Sequence, residues 1–84
     1  MSKITVRYFA SIREAIGQGS EAVETSATTL GALRDELIAR GGAHASSLAR
    51  GKAVRMALNQ TLSDESATLA DGAEVAFFPP VTGG

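Results

Sequence analysis

At 84 residues, with 44% hydrophobic and 20% charged side chains, the chain has the make-up of one small globular domain rather than a disordered segment or a fibrous repeat. Eight basic against nine acidic side chains leave a formal net charge of -1, too little to draw it to a phosphate backbone or an anionic membrane, so neither nucleic acid nor membrane is an expected partner. The absence of cysteine excludes disulfides, thiolate metal sites and thiol nucleophiles.

No run of 18 apolar residues occurs, and Lys3-Ile4-Thr5-Val6-Arg7 interrupts the stretch a signal peptide needs, which predicts a cytoplasmic protein. Residues Lys3 to Phe9 alternate, with Ile4, Val6 and Tyr8 on one face and Thr5, Arg7 and Phe9 on the other, the period of a strand. Ser11 and Glu14 fit a capping box that would start a short helix over Ile12 to Ile16, with Gly17 as its stop. Glu21 to Thr25 reads as a second strand of thin apolar content.

Thr28 or Thr29 can cap a helix carrying Leu30, Leu33, Leu37 and Ile38 on one face, and Gly41-Gly42 terminates it. Its charged positions Arg34, Asp35, Glu36 and Arg40 read as a solvated face, with Glu36 and Arg40 at helical pairing distance. Val54, Met56 and Leu58 mark a further strand, Asn59-Gln60 a turn into Thr61-Leu62, and Asp71-Gly72 a turn into a last strand over Ala73 to Phe78. Pro79-Pro80 ends that strand, since proline has no amide for the ladder. The order predicts an α+β fold, a mixed sheet packed on one long helix, with residues 1–78 as the domain and residues 79–84 as a flexible C-terminal tail.

An internal catalytic site is hard to assemble. His44 is the only histidine, in the small-residue stretch from Gly41 to Ser47, and reads as an ordinary loop or helix-surface residue. Asp35-Glu36 and Asp64-Glu65 are sequence neighbours whose side chains diverge, so they read as exposed carboxylates. Neither glycine-rich phosphate-loop pattern occurs, and Arg50, Lys52 and Arg55 form a modest basic cluster of the kind that serves solubility.

The C-terminal end is different. Gly83 and Gly84 remove every Cβ beside the terminal carboxylate, so the backbone can pass a narrow channel. The segment Pro79, Pro80, Val81, Thr82, Gly83, Gly84 can reach about 20 Å beyond the sheet, into a partner's pocket. The alternative is a frayed end without a role. The aromatic pairs Tyr8-Phe9 and Phe77-Phe78 each turn one ring from the core, placing Phe9 and Phe78 on the opposite face as a candidate partner patch unless loops cover them.

Tyr8-Phe9-Ala10, Leu33-Arg34, Asn59-Gln60-Thr61-Leu62, Asp71-Gly72 and above all Glu74-Val75-Ala76-Phe77-Phe78-Pro79-Pro80-Val81-Thr82-Gly83-Gly84 resemble the small subunit of molybdopterin synthase, the MoaD family, over nearly the whole chain. The resemblance implies a ubiquitin-like β-grasp fold, with the first and last strands parallel neighbours and Phe9 close to Phe78. It implies that an E1-like enzyme uses ATP to adenylate the Gly84 carboxylate, and that a persulfide-bearing sulfurtransferase then acts as sulfur donor to form a thiocarboxylate. The tail would next enter the large subunit of the synthase, in a heterotetramer of two small and two large subunits, and give its sulfur to cyclic pyranopterin monophosphate. No cofactor would be bound by the chain itself, and the catalytic residues would lie on the large subunit. Phe9, Leu62 and Phe78 would be the apolar contacts, Leu62 on the resemblance alone. Other readings are a carrier for thiamine or tRNA thiolation, a ubiquitin-like protein modifier, or an interaction module with an inert end.

Overall fold

The structure is a computed structural model that describes residues 1–80. The elements are β1 (Ser2–Tyr8), α1 (Ala10–Ile16), β2 (Ser20–Thr25), α2 (Leu30–Ile38), α3 (Gly42–Leu48), β3 (Arg55–Leu58), β4 (Thr61–Ser63) and β5 (Glu74–Phe78). The strands form one sheet in the order β2-β1-β5-β3-β4. β1 and β5 are parallel, and the other pairs are antiparallel. This is the ubiquitin-like β-grasp arrangement that the resemblance implies.

The alternation in β1 does what its period requires. Ile4, Val6 and Tyr8 are buried, while Thr5 and Arg7 face out. Val75 and Phe77 of β5 and Met56 of β3 join them, and Leu30, Leu33, Leu37, Leu48 and Ile12 cover them from the helix side. Burying each such side chain stabilises the fold by roughly 1.5–3 kcal/mol. The Tyr8 and Phe77 rings stack with centroids 6.3 Å apart.

The short helix expected over Ile12 to Ile16 forms as α1, but the rest of the helical layer is two helices rather than one long one. α2 spans only nine residues, and α3, of seven residues, packs against both α2 and the seven-residue α1. α2 ends at Ile38 with Ala39 as C-cap, ahead of the expected Gly41-Gly42 stop; Gly41, at φ 77, is instead the N-cap of α3, and Gly42 is its first residue. Thr29 caps α2 as expected, its Oγ1 accepting from the Ala32 amide at 3.2 Å.

The capping box at Ser11 and Glu14 does not form. The β1 ladder continues through the Phe9 amide, which donates to the Phe77 carbonyl at 3.1 Å, and the chain then turns sharply at Ala10, in the left-handed region at φ 52. Phe9 thereby becomes the N-cap without a side-chain cap, and Ser11 falls inside the first turn. The hairpin between β3 and β4 is a two-residue turn with Asn59 and Gln60 both at positive φ. The Asn59 side chain accepts from the Glu74 amide at 2.9 Å, tying the turn to the start of β5.

Candidate functional site

The helices cover one face of the sheet. On the other face, cross-strand register aligns a row from Ser20 through Arg7, Ala76 and Ala57 to Leu62. Directly opposed residues share a face, so Leu62 stands on the same surface as Ala76, although sequence reasoning placed it there only by resemblance. In the neighbouring row Phe78 of β5 lies across from Arg55 of β3. Phe9 follows β1 at the same end of the sheet.

Phe9 is 40% exposed and Leu62 64% exposed, whereas Phe78 is half-buried. Apolar side chains of this size left open to water, around a floor of two alanines, mark a surface suited to a partner. The Arg7 guanidinium lies over the Phe9 ring at 5.4 Å from its centroid and 3.8 Å from the Glu74 carboxylate. It attracts the face of the ring by a cation–π interaction.

The end of β5 puts the root of the C-terminal segment beside this surface. Pro79 and Pro80 are half-buried, and Pro79 borders a hollow of about 220 Å³ with Ile12 and Ala15 of α1, Ser47 of α3, and Lys52. Val81, Thr82, Gly83 and Gly84, the remaining site residues expected from sequence, lie outside the described residues.

On the helix side, the polar groups form structural clusters. Glu21 faces inward from β2, across from Val6. Its carboxylate accepts from the Tyr8 hydroxyl at 2.7 Å and from Arg40 Nη1 at 2.7 Å, and lies 3.0 Å from His44 Nε2. Burial acts to raise the Glu21 carboxyl, but the hydrogen bonds with Arg40, Tyr8 and His44 outweigh it and hold the group down at about 2. Burial, followed by the hydrogen bond and charge of Glu21, pushes the Tyr8 hydroxyl well above its ordinary range. His44 is therefore neither a loop residue nor a free surface one: it sits on α3, half-buried, edge-on to Tyr8 at 5.9 Å.

The α2 charges are likewise not all solvated. Arg34 is buried, its Nε donating to the Leu48 carbonyl at 2.7 Å and its Nη2 to the Ala49 carbonyl at 2.8 Å and the Lys52 carbonyl at 3.3 Å. Arg50 binds Asp35 Oδ1 at 2.9 Å and also meets Glu65, so two arginines pin the connection between α3 and β3 to α2. Arg40 pairs with Glu21 rather than with Glu36, whose carboxylate instead accepts from Thr25 Oγ1 at 2.8 Å. Among the described residues no group of three or more His, Asp or Glu is placed to hold a metal ion.

The sequence profile of the ThiS family matches residues 6–84. The chain belongs to the ThiS family. A family relative from Escherichia coli K12, named molybdopterin synthase sulfur carrier subunit, is 44% identical over 81 residues, spanning 96% of this chain and 99% of the relative. Among solved structures, the protein-protein complex of subunits 1 and 2 of molybdopterin-converting factor from Helicobacter pylori contains a chain similar at TM-score 0.67 and 28% identity, with 98% of this chain and 99% of that one covered. The small archaeal modifier protein 1 (SAMP1) of Haloferax volcanii is similar at TM-score 0.77 and 25% identity, with 99% and 100% covered. No helix among the described residues is long and apolar enough to cross a membrane.

Proposed function

We propose that this ThiS-family chain is the sulfur-carrier subunit of a molybdopterin synthase, acting in molybdenum cofactor biosynthesis in the cytoplasm. The observation that carries this reading is the end-to-end 44% identity to a relative bearing that name. The open sheet face with Phe9, Leu62 and Phe78 supports it, as a docking surface next to the root of the C-terminal segment.

The chemistry follows from the weakness of a carboxylate as an electrophile. The Gly84 carboxylate oxygen attacks the α-phosphorus of ATP on an E1-like enzyme, expelling pyrophosphate and forming an acyl-adenylate. A persulfide-bearing sulfur donor then attacks the acyl carbon, AMP leaves with the electron pair, and cleavage of the sulfur–sulfur bond by a thiol leaves a thiocarboxylate. With no cysteine in the chain, its C-terminal carbon is the natural carrier of that sulfur. The large subunit accepts the segment from Pro79 to Gly84 in its pocket, Phe9, Leu62 and Phe78 hold the domain in place, and the sulfur attacks cyclic pyranopterin monophosphate. ATP is a substrate of the activating enzyme, and this chain holds no cofactor of its own.

The test is the mass of the C-terminal fragment after incubation with ATP, an activating enzyme and a sulfur donor, where one oxygen is expected to be replaced by sulfur. Fragmenting the chain separates this change from oxidation of Met1 or Met56. An unchanged fragment beside an active enzyme and donor would overturn the reading. The likeness to SAMP1 favours a second reading, a protein modifier joined through Gly84 to lysines. Abundant isopeptide conjugates in cells, with no thiocarboxylate, would establish that one instead.

A further inference from the structure

Four arginines have acidic partners: Arg7 with Glu74, Arg34 with Glu65, Arg40 with Glu21, and Arg50 with Asp35 and Glu65. Arg55 is exposed on the open sheet face, across from Phe78, and its side chain has no hydrogen-bond or ion-pair partner among the described residues. The β3–β4 ladder ends at Met56 and Ser63. Beyond it the chain splays into an open groove of about 810 Å³ that Arg55 lines together with Leu62, Asp64 and Glu65.

The acids of that groove are already engaged. Asp64 accepts from the Ser66 amide at 2.9 Å and from the Ser66 hydroxyl, and Glu65 faces Arg34 and Arg50. Arg55 therefore presents an uncommitted guanidinium between Phe78 and Leu62, the two apolar side chains at this end of the patch.

We infer that Arg55 is a specificity-determining contact of the docking face, pairing with an acidic side chain on the large subunit. This rests on the synthase reading above. Docking Phe78 and Leu62 takes water from the guanidinium between them, and a charge desolvated without a partner opposes association. A carboxylate opposite it offsets that loss through two parallel hydrogen bonds, a geometry that suits arginine and fixes orientation. With a net charge of only -1 on the whole chain, long-range steering is weak, so a local cation beside Pro79 sets the rotational register in which the C-terminal segment meets its pocket. A surface lacking the carboxylate is rejected by the same unpaired charge.

The experiment is titration calorimetry of the full chain with its cognate large subunit at low and high salt. Arg55→Ala is expected to weaken binding by about 10-fold and Arg55→Glu by about 100-fold at low salt, while Arg55→Lys, which keeps the charge but not the paired hydrogen bonds, falls between wild type and Arg55→Ala. The difference between wild type and Arg55→Ala should shrink as salt screens the pair. Because Arg55 is exposed, unchanged thermal melts are expected for all three variants and show that each is folded. Equal binding by wild type and Arg55→Glu overturns the inference. So does a defect confined to activation by the E1-like enzyme, or to self-association of this chain. A wild-type chain that fails to bind the large subunit at all overturns the synthase reading itself, an outcome distinct from a charge-insensitive complex.

Discussion

Glu21 occupies an inward-facing position on β2, where the same face carries Val23 and Thr25. Its carboxyl lies at about 2 in the folded protein against an ordinary 4.5. A carboxyl depressed in this way contributes stability that is fully present above pH 4.5 and is lost as the pH falls towards 2, with an upper bound of about 3 kcal/mol. Glu21→Gln is expected to lower stability at neutral pH by about 1–3 kcal/mol. It should also flatten the decline between pH 5 and 2, as read from urea midpoints at several pH values. A variant that declines as steeply as wild type would place the acid sensitivity elsewhere. The cluster also accounts for what sequence reasoning overlooked at this scale. His44 and Arg40 lie far from Glu21 in sequence, and nothing in their local patterns shows that β2 brings a carboxylate to both. Arg34 was misread for a related reason: its partners are backbone carbonyls, which carry no residue-type signal.

Among the elements, the β3–β4 hairpin sets the register that brings Leu62 level with Ala57 and Ala76. Its turn needs positive φ at both central residues; Asn59 tolerates this well, but Gln60 at φ 69 carries a Cβ in a region that favours glycine. Gln60→Gly is therefore expected to stabilise the fold by about 0.5–1 kcal/mol, seen as a higher urea midpoint with an unchanged slope. A lower midpoint would mean that the glutamine side chain supports the turn in a way its geometry does not reveal. β1, β3 and β5 were legible because two-residue alternation survives wherever one face is buried. β2 was faint because Glu21 occupies one of its inward positions. α3 was hidden: Gly-Ala-His-Ala-Ser-Ser-Leu has almost no apolar period, and its helix is held by packing against α1 and α2 rather than by local preference.

For the whole molecule, the division of labour between the two faces of the sheet is the main functional feature. The helix-side face holds the core, so changes there act on stability. The open face is nearly free of that duty, so under the proposed function changes there are expected to act on association. Leu62→Ser removes a side chain that is 64% exposed and is expected to leave the melting temperature unaltered within about 2 °C. It should weaken the complex with the large subunit by about 10-fold in a pull-down titration or by calorimetry. A fall in melting temperature with intact binding would move Leu62 from the interface to the core. Phe9 and Phe78 were legible on this face from strand parity alone, whereas Leu62 needed the register of the β3–β4 hairpin, and setting Arg55 beside Phe78 needed the pairing of β3 with β5, distant in sequence.

The parallel pairing of β1 with β5 has a mechanical consequence. The two strands run side by side in the same direction, with β5 in the middle of the sheet, flanked by β1 and β3. A pull transmitted through Pro79 therefore loads β5 along its length, in shear, and the rungs to both neighbours must give way together. A terminal hairpin under the same tension would instead peel open one rung at a time. Traction on the end that emerges from Phe78 is thus borne by the strongest direction of the sheet, and the domain stays folded under a pull that would open a terminal hairpin.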